Sequence, residues 1–192
     1  MALELWLWRH PRPQGAAGRC IGRTDLPLDR RRAKRLAHQL RRVARQQGLP
    51  RVVWTSALQR CASVGRQLAR WGWQHHVDQR LLELDFGRWD GQPWARIAHA
   101  EVAAWEADFA LHAPGGGEPL AALLARCRAF VSDQAAAGAT AVLVVAHAGW
   151  INACACTCAS ACTCACADAS TLRASTWPAA PAYASLRRIV TA

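Results

Sequence analysis

The stretch that most restricts the fold of this chain is Ala141 to Ala146, which reads Ala-Val-Leu-Val-Val-Ala and has no polar face. A strand of this kind is covered on both sides, as in the centre of a parallel sheet. A second run, Leu3 to Trp8, alternates leucines with larger or polar residues and stops at Arg9. The two runs predict strands of a sheet with helices on its faces.

Further strands and helices alternate along the rest of the chain. The patterns predict helices over about residues 29–47 (capped by Asp29), 58–71, 94–109 and 118–137, and strands over 51–55, 77–84 and 183–190. This alternation predicts an α/β fold, specifically a three-layer α/β/α sandwich with a mostly parallel central sheet. The 192 residues contain no recognisable linker, so we expect a single domain over residues 1–192.

The positive charge of the chain is almost entirely guanidinium. Lys and Arg total 24 against 13 for Asp and Glu, and Lys34 is the one lysine. Arginine suits a protein that binds phosphate or carboxylate, because its planar fork binds such groups bidentately. Eight basic residues crowd the helix at 29–47, which could bind nucleic acid or an anionic membrane surface. We favour a solvated face opposite Leu36, Leu40 and Val43, and we expect no nucleic-acid partner.

Neither an export signal nor a membrane span is expected. Arg9 and His10 interrupt the first apolar run before it could form a signal core. Residues 135–167 lack charged side chains, but only 141–146 are densely aliphatic, far short of the roughly 20 residues of a spanning helix. The nine cysteines do not have the spacing of a secreted disulfide framework. We therefore expect a cytoplasmic protein.

Most of the known machinery for phosphate chemistry is missing from the sequence. No cysteine has an arginine six positions on, no two aspartates lie two apart, and Lys34 lacks the glycine frame of a nucleotide phosphate loop. A Gly-x-Ser-x-Gly elbow and a His-Glu-x-x-His metal motif are absent too. Among covalent routes, a histidine nucleophile remains.

Polar residues follow several predicted strands directly, and ligands bind at the carboxyl ends of strands in open α/β sheets. If the strands are parallel neighbours, these side chains converge on one pocket: Arg9, His10, Ser56, Arg60, His147 and, at the end of the third predicted strand, Glu83. Each of them alone is more often structural or solvated. Together they could neutralise a phosphoryl group while a neutral imidazole attacks it and a partly buried carboxyl protonates the leaving oxygen.

The ordered motifs resemble those of the histidine phosphatase (phosphoglycerate mutase-like) superfamily, and most closely its α-ribazole phosphatase-like branch. The resemblance rests on segments within about residues 3–152: Arg9-His10, residues 19–28, residues 55–61, residues 83–91, Pro114 to Glu118, and His147-Ala148-Gly149. Two segments depart from the family pattern. Pro11 stands where the family usually has glycine, which removes an amide donor and changes the loop locally, and Gly117 and Pro119 alter the glycine-rich loop.

The resemblance implies a phosphoglycerate mutase-like fold and a role for each matched residue. His10 becomes phosphohistidine and Glu83 donates the proton, while Arg9, Arg60 and His147 bind the phosphoryl group. Ser56 and Gly149, which lie in the same motifs, are assigned to substrate binding as well. No metal or other cofactor is implied. The length favours a small phosphatase over a mutase.

Six of the nine cysteines lie between Cys154 and Cys166, in two Cys-x-Cys-x-Cys triplets. Thiolates at this density can hold zinc or copper(I). We favour a helix on which Cys154, Cys158, Cys162 and Cys166 form a drifting stripe of small apolar groups. A low-complexity product of a slipped reading frame is a third interpretation.

The sequence thus predicts a metal-independent phosphomonoesterase that acts on a small phosphorylated metabolite, with α-ribazole 5′-phosphate from cobalamin biosynthesis as the substrate that the resemblance suggests. A broader sugar- or nucleotide-phosphate phosphatase of the same family is the second hypothesis. A non-catalytic basic binding protein on a degenerate phosphatase fold is the third.

Overall fold

Five strands form one sheet in the part of the chain that this computed structural model describes, residues 2–158 and 172–191. They are β1 (Glu4–Arg9), β2 (Val52–Thr55), β3 (Gln74–Val77), β4 (Ala141–Ala146) and β5 (Leu186–Val190). The strand order is β3–β2–β4–β1–β5, with the first four parallel and β5 antiparallel to β1. The predicted mostly parallel sheet is confirmed.

The strand β1 shows why the sheet needs a cover on both faces. Leu5 and Leu7 pack into the hydrophobic cluster on one face, and Trp6 and Trp8 pack into the cluster on the other. All four side chains are buried, because alternate residues of a strand point to opposite faces.

Helices cover both faces and produce three layers. On one face lie α1 (Arg30–Gln46) and α2 (Gln59–Ala69), which pack against Trp6 and Trp8. On the other face lie α4 (Leu120–Ala136) and α5 (Ala148–Cys158). The helix α3 (His99–Ala107) and short 3₁₀ turns occupy the connections, the turns being Gln79–Leu81, Gly87–Trp89, Trp94–Arg96, Pro114–Gly116 and Ala174–Thr176. The predicted α/β/α sandwich is thus confirmed.

Helix α1 forms as the sequence predicts. The carboxylate of Asp29 caps it by accepting a hydrogen bond from the Arg31 amide. Leu36 and Leu40 are buried against the sheet, whereas all eight basic residues are exposed, with Arg41 lying over the ring of Trp71. Across residues 2–158 and 172–191, none of the helices has the length and apolar character that crossing a bilayer requires.

Three predicted elements have different bounds. The third strand, predicted over residues 77–84, spans Gln74–Val77, and it is an edge strand whose side chains are mostly exposed, so no apolar alternation marks it. The helix predicted over 94–109 is split, because Ile97 and Ala98 are extended between the turn at Trp94–Arg96 and α3. Glu118 stays outside α4, since the residue before a proline avoids helical geometry.

Candidate active site

The pocket at the carboxyl ends of the central strands contains four of the predicted site residues. Arg9 is the last residue of β1 and His10 follows it. A cavity of about 520 Å³ is lined by these two side chains together with Glu83 and Gly149. Strand order explains why these residues lie close together, because β1 and β4 are parallel neighbours and the segments that follow them leave the sheet side by side.

The imidazole of His10 is fixed by its own neighbour. Its Nδ1 lies 2.8 Å from the carbonyl oxygen of Pro11. A carbonyl can only accept a hydrogen bond, so Nδ1 carries the proton and Nε2 keeps a lone pair. The carbonyl of Pro11 thus sets the tautomer that a nitrogen nucleophile requires, while the effect of proline on the loop itself stays a prediction.

The surroundings of His10 also keep it neutral. Burial is the largest cause that lowers its pKa, from 6.5 to about 3, and the positive charge of Arg60 acts in the same direction. The side chain is 5% exposed. At neutral pH the ring is thus an unprotonated base on the wall of a cavity.

The carboxylate of Glu83 is held by two backbone amides. One oxygen accepts a hydrogen bond from the Leu84 amide at 3.0 Å, and the other accepts one from the Gly149 amide at 3.1 Å. A Cβ atom at position 149 would stand only 2.4 Å from the first of these oxygens. Glycine at this position lets the start of α5 approach the carboxylate closely.

Arg60, His147 and Ser56 form a fully buried layer behind His10 rather than part of the cavity wall. The His147 Nδ1 accepts a hydrogen bond from the Arg60 Nε at 3.2 Å, and its Nε2 lies 2.8 Å from the Ser56 hydroxyl oxygen. The rings of His10 and His147 are 5.0 Å apart. Burial, followed by the charge of Arg60, lowers the pKa of His147 well below its ordinary value.

The guanidinium of Arg60 is anchored on the loop at residues 19–28, one of the segments that carry the family resemblance. It donates to the carbonyl of Thr24 at 2.8 Å and to the carbonyl of Gly22. Its charge lies next to the two histidines but its hydrogen bonds are made to the protein. Direct contact of Arg60, His147 or Ser56 with a phosphoryl group therefore stays a prediction.

Arg9 is the guanidinium on the cavity wall. It donates to the carbonyl of Pro181 at 2.6 Å and lies 3.8 Å above the ring of Tyr183. Its buried Nε has no hydrogen-bond partner among the described residues. A buried donor of this kind is costly unless a ligand satisfies it. Burial also lowers the pKa of Arg9.

The abundance of tryptophan predicts core or pocket-lining positions, but the sequence did not show which aromatic residues form the pocket. The ring of Tyr183 lies 5.6 Å from that of His10, although the residue was predicted to begin the last strand. The cavity is further lined by aromatic side chains that come from separate loops and helices and contact one another: Phe86, Trp94, Trp105, Phe109 and Trp177. The large number of tryptophans was the only signal in the sequence that pointed to such a wall.

Arg126 was also missed, and it holds the segment that carries Glu83. From the middle of α4 it donates to the backbone carbonyls of Leu82 and Glu83 and pairs with both oxygens of Glu118. Glu118, from the glycine-rich loop, thus has a structural partner. An arginine in the middle of a helix has no sequence signal that separates it from a solvated one.

The glycine-rich loop (residues 114–118) packs directly on the segment at residues 83–91, which we call the acid loop. Gly115 has a φ of +62°, and a Cβ there would lie 2.1 Å from the carbonyl oxygen of Phe86. This contact requires glycine on both counts, the positive φ and the lack of space. Two of the motifs that carried the family resemblance are therefore in contact next to the pocket.

Several solved structures are similar to this chain over most of its length. The chain is 27% identical to a mycobacterial hydrolase, covering 98% of this chain and 82% of that one, with a TM-score of 0.76. It is 28% identical to a mycobacterial glucosyl-3-phosphoglycerate phosphatase solved with VO3 (97% and 92% covered, TM-score 0.73). It is also 28% identical to a protein of Thermus thermophilus (79% and 82% covered, TM-score 0.60).

No curated protein sequence matches the chain significantly. A family model does match, over residues 5–163, and its description is the histidine phosphatase superfamily, branch 1. The matched range contains every catalytic and binding residue that the sequence predicted. The α-ribazole phosphatase-like branch is not confirmed by these comparisons. On the extent of the family match, the chain belongs to the histidine phosphatase superfamily.

Proposed function

We propose that this protein is a metal-independent phosphomonoesterase that works through a phosphohistidine at His10. The observation that carries the proposal is the neutral imidazole with a free Nε2 on the wall of a cavity that also holds Arg9 and Glu83. The match to the histidine phosphatase superfamily and the similarity to a solved phosphatase support this reaction class.

In the first step, the lone pair of the His10 Nε2 forms a bond to phosphorus and the bond from phosphorus to the ester oxygen breaks. Glu83 gives its proton to the departing oxygen, which leaves as an alcohol. In the second step, water attacks the phosphohistidine while Glu83 takes up a proton from that water. The nitrogen–phosphorus bond breaks, and inorganic phosphate and free His10 are released.

The buried layer supports this reaction from behind. We assign Arg9, which lies beside His10 on the cavity wall, to the phosphoryl oxygens, and the charge of Arg60 helps to keep His10 unprotonated before attack. His147 and Ser56 hold Arg60 and each other in place and reach the phosphoryl group only if their hydrogen bonds rearrange. Gly149 contributes the amide that orients Glu83.

The substrate that we favour is a small phosphate monoester whose leaving group has a flat, apolar face. Aromatic rings dominate the side of the cavity opposite Arg9, with Arg19 and Glu106 as its charged residues. The benzimidazole of α-ribazole 5′-phosphate fits such a wall. Glucosyl-3-phosphoglycerate is the second candidate, because a solved neighbour carries that name and a sugar can stack its C–H face on tryptophan.

The test is hydrolysis of p-nitrophenyl phosphate in EDTA by the wild type, by His10→Ala and by His99→Ala, an exposed histidine outside the pocket. We expect His10→Ala to lose about a thousandfold or more in kcat and His99→Ala to match the wild type. A covalent, acid-labile phosphate label that forms on the wild type but not on His10→Ala supports the phosphohistidine intermediate. Activity that survives His10→Ala contradicts the nucleophile.

A panel of α-ribazole 5′-phosphate, glucosyl-3-phosphoglycerate, sugar phosphates and nucleotides then ranks the substrates by kcat/KM. A preference above about a hundredfold for one member identifies the substrate class. Similar values throughout favour the broad-specificity phosphatase. Failure on every ester, with binding retained, favours the non-catalytic alternative.

A further inference from the structure

A cluster of three thiols lies in the core at the contact between two helices. Cys127 comes from the middle of α4, and Cys154 and Cys158 come from α5. Residues four positions apart on a helix share a face, so both α5 thiols point at the same partner helix. The three sulfur atoms all lie within 4.8 Å of one another.

The dimensions of this cluster match those of a metal–thiolate site. With metal–sulfur bonds of about 2.3 Å, three ligands around one ion have sulfurs about 4 Å apart. The side chains of Cys127, Cys154 and Cys158 reach that separation with shifts of less than an ångström. Cys127 and Cys154 are buried, and Cys158 is partly exposed, which leaves an entry path for an ion.

The sequence placed Cys154 and Cys158 in a tract whose thiols could hold zinc or copper(I), but it did not indicate that Cys127 joins them. The expectation was a stripe of small apolar groups along one helix, with Cys162 and Cys166 outside the residues that the structure describes. Cys127 lies 27 positions before Cys154 and was one of the scattered cysteines. Because α4 packs against α5, Cys127 lies next to Cys154 and Cys158, and the three thiols form one cluster.

We propose that Cys127, Cys154 and Cys158 bind one copper(I) ion. Thiolates select soft ions, and copper(I) is satisfied by three of them. Zinc sites of the structural type take four protein ligands, whereas the metal-capable groups found among residues 2–158 and 172–191 comprise this three-cysteine set alone. Binding exchanges the thiol protons for the ion and releases them to solvent, with no change of oxidation state.

The proposed ion would lie apart from the phosphatase pocket. Gly149 orients Glu83 at the start of α5, and Cys154 and Cys158 follow five and nine residues later, about 8 and 14 Å along the helix axis. The ion therefore stabilises the contact between α4 and α5 and takes no part in the chemistry at His10. The two proposals can fail independently.

The experiment is anaerobic competition for copper(I) between the reduced full chain and bathocuproine disulfonate. The decisive variant is Cys127→Ala, because this residue lies far in sequence from the cysteine-rich tract and the tract's own thiols remain intact. Cys156→Ala is the matched control, on the same helix but outside the group. An unchanged circular dichroism spectrum and urea midpoint of each metal-free variant show that it is folded, independently of any activity.

We expect the wild type to bind one equivalent that Cys127→Ala loses, or binds at least tenfold more weakly, and that Cys156→Ala keeps. X-ray absorption should show three sulfur neighbours around that copper. Equal binding by Cys127→Ala and the wild type would overturn the proposal and assign copper to the tract by itself. No copper bound by the wild type, or zinc bound in its place with four ligands, would overturn it as well.

Discussion

The two sides of the pocket are built by different kinds of contact. On the side of His10, hydrogen bonds from backbone groups fix the imidazole and the carboxylate of Glu83. On the opposite side, Phe86, Trp94, Trp105, Phe109 and Trp177 touch one another through rings whose centroids are 5.1 to 6.1 Å apart. Hydrogen bonds set the positions of single atoms, whereas ring contacts set only a shape. The positions of the His10 and Glu83 side chains are thus fixed, whereas the shape of the cavity that would receive the leaving group is less strictly determined.

After the loss expected for His10→Ala, the largest effect should come from removing the proposed proton donor, Glu83. We expect Glu83→Gln to lower kcat by about 10² to 10⁴ for alkyl phosphates, whose leaving oxygen needs a proton. The loss should be much smaller for p-nitrophenyl phosphate, whose phenolate leaves unaided. The measurement is kcat for both esters. Glu106→Gln, a carboxyl on the aromatic side of the same cavity, is the control and should leave the ratio of the two values unchanged.

The next effect concerns the close approach at Gly149. A methyl group there displaces the Glu83 carboxylate, so Gly149→Ala should lower kcat by about tenfold to a hundredfold. The free energy of unfolding should not fall, because alanine favours the helix and the displaced group is the end of a flexible side chain. Kinetics and urea titration of the same variant measure both quantities.

A shorter carboxylate tests the explanation given for Gly149→Ala. Combining it with Glu83→Asp should give a smaller loss than the sum of the two single effects in ΔΔG‡, since aspartate leaves room for the methyl group. Additive losses would contradict a direct contact between the two residues.

Substitution on the aromatic side should change binding rather than chemistry. We expect Trp105→Ala to raise KM for an ester with an aromatic leaving group by about tenfold, from the loss of stacking area. Inhibition by inorganic phosphate should stay as in the wild type, because phosphate contacts the other side. Trp71→Ala, at the surface beside α1, is the control. A change in phosphate inhibition would mean that the two sides are coupled.

A further effect, on stability rather than on reaction rate, comes from His10 and depends on pH. Its pKa is lowered to about 3 in the folded protein, so below pH 6.5 the unfolded chain binds more protons than the folded one. The free energy of unfolding should therefore fall between about pH 6.5 and 3, by up to about 1.4 kcal/mol per pH unit for this group. Urea midpoints at several pH values should show a shallower slope for His10→Gln, but not for His99→Gln.

Sequence patterns predicted the side of the pocket that is attached to strands. A buried run followed at once by polar residues marks Arg9, His10 and His147, because strand ends converge wherever the strands are parallel neighbours. Asp29 and the apolar stripe of α1 were predictable for equally local reasons. Each signal lies within a few residues of the feature that it reports.

The remaining parts depend on contacts between distant segments. Arg126 orients the acid loop across 43 positions, and Cys127 meets Cys158 only after α4 packs on α5. Tyr183 reaches the ring of His10 from the far end of the chain. Neither Arg126, Cys127 nor Tyr183 stands in a local pattern that differs from that of an ordinary core or surface residue, so only the folded arrangement shows their roles.

The antiparallel pairing of β5 with β1 has a consequence for synthesis on the ribosome. The Arg9 side chain donates a hydrogen bond to the backbone carbonyl of Pro181, 172 residues later. The strand β5 (Leu186–Val190) is one of the two neighbours of β1 in the sheet. Translation therefore makes the segment of Arg9 and His10 well before the residues that support it. Most of the sheet can assemble on the nascent polypeptide, yet catalytic competence has to wait until these late residues have left the exit tunnel.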